Sequence, residues 1–306
     1  MKIILMALSI IISLLIGHLS FAAIIINTGE DFKLATANLE DQTFHEQLAE
    51  WVKFEYKYIS VYDNVVYEKH RGGWEARQEL KRNEFFFMLP EIKAKMIEIF
   101  DSAEELVVEK EARFKTLFAD LPNVPVYFLP SMNGFNGKVT SVLGPPALYI
   151  GVDVVASRND NLDVLFSHEF FHAYHSTKIA NGEVGTTMAS PLWREGFATY
   201  VSSLLNPEQN DEALLMDTAL TQACSDKKFI GDIAKQFLTI ISANGDLDYA
   251  DWFLKEGGTQ PSRRGYCRGL QVVREIAKKN EVKEMITWGE ARFSAEISTV
   301  LQEFTK

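Results

Sequence analysis

Residues 165–180 read LFSHEFFHAYHSTKIA, with His168, His172 and His175 inside one short segment. On a helix, residues four apart lie one turn apart on the same face. His168 and His172 have that spacing, so their imidazole nitrogens can reach one metal ion. Glu169 follows the first histidine. The pattern is His-Glu-x-x-His, in which the carboxylate can serve as general base toward a water activated by zinc. A solvated polar helix face is the alternative. Phe170 and Phe171 argue against it, because a helix with two phenylalanines beside the histidines is partly buried.

A catalytic zinc takes three protein ligands and keeps one position open. Glu195, in PLWREGFATYVS (191–202), is the expected third ligand and lies 23 residues beyond His172. The intervening loop lets a second helix fold back antiparallel and present this carboxylate. Gly196 leaves room for close helix approach, and Trp193 and Phe197 can pack nearby. Glu183, in the loop, is a rival ligand. His175 shares the helix face but sits about 10 Å along the axis from His168, too far to share the ion. It is expected in the cleft or behind the ligands.

The segments around this helix set the fold class. Residues 124–130 (VPVYFLP), 137–144 (GKVTSVLG) and 147–155 (ALYIGVDVV) are short β-prone runs separated by Gly, Asn and Pro. RNDN (158–161) offers an N-cap for the histidine helix, which should end near NGE (181–183). Upstream, residues 47–119 read as helical, with Pro90 near the start of the last helix. AIIINT (23–28) is β-prone, and polar residues follow it. Downstream, LWREGFATYVSSLL, EALLMDTALTQA, IGDIAKQFLTIISAN, GYCRGLQVVREIAKKN and FSAEISTVLQEF read as helices. The expectation is an α+β protein: a mostly helical region at 23–122, then a region at 123–306. In that second region a small mixed sheet and the histidine helix precede a mostly helical half.

Residues 1–22 read as a signal peptide: Lys2, an apolar run over residues 3–17, and small residues at Ser20 and Ala22. An uncleaved anchor is the alternative. No later segment is apolar for long enough to span a bilayer. Cleavage would remove Lys2 and no acid. That takes the chain from 31 basic residues to 30 against 42 acidic ones, and the net charge from −11 to −12. Such a surface argues against nucleic acid as a partner. Cys224 and Cys267 are either a disulfide of an exported protein or two separate buried thiols.

HEFFH followed by WREGFATY resembles the gluzincin group of zinc metallopeptidases, and more narrowly bacterial predicted zinc-dependent proteases of unknown substrate. The likeness covers roughly residues 124–275 in order of elements. The connection to Glu195 is a few residues longer than in the best-known gluzincins. The resemblance implies a zincin-like fold, a zinc ion held by His168, His172 and Glu195, and Glu169 as general base. It also implies a peptide or protein substrate paired against a strand beside the zinc, for which ALYIGVDVV is the candidate. A Tyr at the position of Tyr266 would donate to the oxyanion. Tyr249 is its rival, and simple packing of Tyr266 is the alternative to both. Arg263, Arg264 and Arg268 could bind a substrate carboxylate or form a solvated charge cluster. Thr199 or Asp163 could orient a ligand. The implied activity is that of an exported peptidase, periplasmic or secreted. A non-catalytic metal or peptide binder on the same fold, or a zinc hydrolase of non-peptide amides, would share the site.

Overall fold

The computed structural model describes residues 24–38, 41–179, 185–254 and 261–306. The signal segment and Glu183 lie outside these residues. Strand β1 (Ile25–Asn27) leads into helix α1 (Gly29–Ala35), and α2 (Phe44–Lys57) follows. The start of α2 is fixed by reciprocal bonds. The Thr43 side chain accepts from the Glu46 amide, and the Glu46 carboxylate accepts from the Thr43 amide.

Helix α3 (Trp74–Asp101) runs unbroken through Pro90. The expected helix start at Pro90 is therefore corrected. Proline lacks an amide and crowds the preceding turn, yet Pro90 itself is exposed while Phe85, Phe86, Leu89 and Ile92 around it are buried. Burial of these side chains holds the helix together across the defect. Helix α4 (Ala103–Leu117) then leads to the sheet strands.

Strands β2 (Val126–Leu129), β3 (Gly137–Thr140) and β4 (Ala147–Gly151) complete a four-stranded sheet of order β1-β2-β4-β3. β1, β2 and β4 are parallel, with Ile25 beside Val126 and Val126 beside Leu148, and β3 is antiparallel to β4. One strand of this sheet thus comes from the N-terminal region, and one continuous core cluster joins Trp51 and Phe85 to Phe171 and Trp193.

The β-prone run 147–155 does not stay extended. Strand β4 stops at Gly151, and Val152–Arg158 form helix α5. The reason is Asp153. Its fully buried carboxylate accepts from the amides of Ser131 and Asn133 and from the Ser131 hydroxyl. These tertiary bonds override the β preference of Val152, Val154 and Val155.

Helix α6 (Leu162–Lys178) carries the histidines, and Asn161 caps it by accepting from the amides of Asp163 and Val164. Helix α7 (Ala189–Leu205) carries Glu195. EALLMDTALTQA splits into α8 (Asp211–Leu215) and α9 (Thr218–Ser225). The break falls at Met216, which has φ 49°, followed by an Asp217 cap on Leu220. Helices α10 (Lys227–Ile240), α11 (Arg264–Ala277) and α12 (Glu290–Phe304) complete the C-terminal half. Cys224 and Cys267 are joined as a disulfide between α9 and α11. Among the described residues no helix is long and apolar enough to cross a membrane.

Candidate metal centre

The cap at Asn161 sets where α6 begins, and the helical repeat then brings His168 and His172 to one face. Their Nε2 atoms are 2.9 Å apart. Oε2 of Glu195 lies 3.2 Å from the first and 3.3 Å from the second. A zinc ion with bonds of 2.0–2.2 Å in tetrahedral geometry keeps its ligand atoms about 3.3 Å apart. Two imidazoles and one carboxylate at these separations fit that ion in number, chemistry and spacing. Burial by itself would raise the pKa of the Glu195 carboxyl. The adjacent His172 and His168 reverse this and hold it well below the usual carboxylate range. Glu195 is thus an anion, the form a ligand needs.

Tertiary packing brings Glu195 there. The start of α6 meets the end of α7. Ser202 donates to the carbonyl of Val164 (3.3 Å), and Asn206 donates to the Ser167 hydroxyl (3.0 Å). The two helices are therefore antiparallel, an arrangement the connecting loop allows. Trp193 stacks on Trp288 and on Phe293, each at 5.5 Å. Gly196 gives the close approach its sequence position implied, and the partner is Gly269 of α11.

Glu169 is nearly buried beside the three residues. Desolvation pushes its carboxyl above the ordinary value, opposed by the charges of His172 and His168. Its side chain rests on Gly137 at the start of β3. A Cβ at position 137 would lie 2.7 Å from Cγ of Glu169. The strand beside the site is thus β3, the edge of the sheet. The expected strand, β4, is corrected: it is flanked by β2 and β3 and has no free edge.

A cleft of about 1330 Å³ opens over this group, lined among others by His168, Glu169, Glu195, Tyr249 and Tyr266. The Tyr266 ring lies 6.1 Å from that of His168, and the Arg263 guanidinium sits over the Tyr266 ring, 4.6 Å from its centroid. Burial and the charge of Glu195 push the Tyr266 hydroxyl well above its ordinary value, so it stays a donor. Tyr249 stacks on Phe253 at 5.0 Å and is shifted upward by the same causes. Both tyrosines therefore border the site.

Other expectations divide. His175 is buried, stacked 5.1 Å from Phe171 and edge-on to Phe197. It is a packed ring one turn beyond His172 that also contributes to the cleft lining. Thr199 does not orient the Glu195 carboxylate; its hydroxyl donates to the Glu195 backbone carbonyl at 2.7 Å. Asp163 pairs with Lys110 at 2.6 Å, near the start of α6. The arginines are not a solvated cluster. Arg268 is fully buried over Phe304, and Arg264 is buried over Trp252 and paired with Asp251. Only Arg263 of the three lines the cleft.

Gly137, Arg194 and Lys81 also border the cleft. Arg194 was within reach of sequence reasoning, since it directly precedes the expected ligand. The other two come from distant segments, and the pattern around the histidines carries no trace of them. No family model, no curated protein and no solved structure matches the chain. The class defined by fold and site is an α+β protein, mostly helical, with a half-buried His-His-Glu group fit for a metal at the edge of a small sheet.

Proposed function

We propose that this protein is an exported zinc-dependent peptidase of zincin-like architecture, resembling the gluzincins. The observation that carries the reading is the meeting of His168, His172 and Glu195 with the raised carboxyl of Glu169 alongside. A pure binder has no use for that fourth group. Zinc, when bound by the first three, supplies Lewis-acid chemistry, lowering the pKa of water and polarising a carbonyl. Glu169 takes the proton from the attacking water and returns it to the leaving amine. The protonated hydroxyl of Tyr266 donates to the oxygen on which negative charge develops. The free edge of β3 can pair with an extended peptide, which would bring the scissile bond past Glu169.

Export is supported by the charge and apolar pattern of residues 1–22 and by the Cys224–Cys267 disulfide, a bond that persists in oxidising compartments. The acidic surface favours neither nucleic acid nor an anionic membrane as partner.

The test compares wild type with Glu169→Gln for zinc content and peptide cleavage. Both should hold one zinc per chain, and turnover should vanish only in the variant. Equal cleavage by both would end the mechanism. Zinc retention with no cleavage by either would favour a binding protein. Glu195→Ala should lose zinc on dialysis while Glu183→Ala retains it; the opposite result would reassign the third ligand.

A further inference from the structure

The chain carries 42 acidic and 31 basic residues, so a cleft lined at random would be acidic. This one is basic: its lining has seven Arg or Lys and three Glu. Two of those carboxylates are Glu169 and Glu195, already assigned to the site. The third, Glu68, is taken up by Lys138 at 2.7 Å and Arg71 at 3.0 Å.

Among the described residues the other five cations, Arg77, Lys81, Arg158, Arg194 and Arg263, form no ion pair, although the charge of Arg158 reaches Asp160 and that of Arg194 reaches Glu169. Lys81, Arg158 and Arg194 form no ion pair or side-chain hydrogen bond among the described residues. They come from α3, the end of α5 and α7, so they surround the opening from separate elements. Lys81 is held close under the loop before β3. A Cβ on Gly134 would lie 2.5 Å from its Nζ. Asp153, whose charge reaches Lys81, is itself engaged by the amides of Ser131 and Asn133. A cleft lined by one sign of charge focuses its field and concentrates ligands of the other sign.

Resting on the peptidase reading of the same cleft, we infer that its substrates are acidic: peptides carrying Asp or Glu on both sides of the scissile bond. The carboxylates of such a peptide supply direct ion-pair partners, which Lys81, Arg158 and Arg194 do not have among the described residues.

The test uses acetylated, amidated peptides with a central Ala-Phe pair flanked by Glu, Gln or Lys. Side chains are then the only carboxylates. Cleavage is measured as kcat/KM with the zinc-loaded full chain, and binding by fluorescence anisotropy with its Glu169→Gln form. The Glu peptide should be bound and cleaved about tenfold better than the Gln peptide, with the Lys peptide worst. The advantage should shrink as salt rises from about 50 mM to about 500 mM. Arg158 and Arg194 are exposed, so Arg158→Gln and Arg194→Gln keep the fold. Each should lower the Glu-to-Gln ratio several-fold, as should Lys81→Gln.

Equal handling of the Glu and Gln peptides, or a preference untouched by salt and by all three variants, would overturn the inference. So would competition by oligothymidylate as strong as by the Glu peptide. Cleavage without preference removes the inference and leaves the peptidase. Preferential binding without any cleavage removes the peptidase and leaves an acidic-peptide ligand.

Discussion

Gly196 of α7 and Gly269 of α11 lie backbone against backbone: a Cβ on Gly269 would come 2.7 Å from Cα of Gly196. The contact sits one residue after Glu195 and three after Tyr266, so one crossing point sets the distance between ligand and candidate donor. Gly269→Ala must separate the helices. Overpacking of this kind costs about 3 kcal/mol. Urea unfolding should register that loss, and zinc affinity should fall with it. An unchanged affinity would show that Glu195 is placed by the Trp193 stack alone.

Gly137→Ala tests the strand beside the base. The added methyl would meet Cγ of Glu169 at 2.7 Å, so the carboxyl must turn away. A displacement near 1 Å costs about a hundredfold in rate. The expected result is kcat reduced by about that factor with one zinc still bound. Full activity would remove Glu169 from its proposed role.

Tyr266→Phe and Tyr249→Phe separate two residues that border the same site. Loss of an oxyanion donor typically lowers kcat by about 10²–10³ with little change in KM. That loss is expected for Tyr266→Phe and only a small one for Tyr249→Phe. The reverse order would transfer the role to Tyr249.

His175 predicts a pH dependence of stability. Burial, aided by the charges of His172 and Arg194, depresses it from 6.5 to about 3. The unfolded chain therefore binds a proton that the folded chain refuses. Its contribution is fully present above about pH 6.5 and is lost as pH falls toward 3. Each pH unit in that window costs about 1.4 kcal/mol, so pH 5 should be less stable than pH 6.5 by about 2 kcal/mol. Urea titrations in EDTA, where no metal contributes, should show this slope in wild type and a shallower one in His175→Gln. Parallel slopes would contradict the assignment.

The disulfide closes a separation of 43 residues between α9 and α11. Cross-links of this kind stabilise by roughly 2–4 kcal/mol. Cys224→Ser combined with Cys267→Ser should lower the urea midpoint accordingly. Zinc content should hold, because the Trp193 stack is independent of the cross-link. A double variant as stable as wild type would show that the small cluster of Leu215, Leu220 and Leu270 holds the corner unaided.

The limits of sequence reading lie where local preference and remote contacts disagree. Pro90 and the run Val152–Val155 were read by local preference, as a helix start and as strand. Both readings failed where burial or a hydrogen-bonded carboxylate outweighed propensity. The four-residue repeat of His168 and His172 succeeded because a helix is built from contacts between near neighbours.

The sequence alone therefore determined the helix, a cap within residues 158–161, the shared face of two imidazoles and the candidacy of Glu195. It determined these because helical spacing is a property of the chain itself. Only the tertiary structure decided that β3 flanks the site, that Gly269 receives Gly196, and that cations from three separate elements ring the cleft. Those relationships join segments far apart in the chain, and packing, not spacing, decides which of them meet.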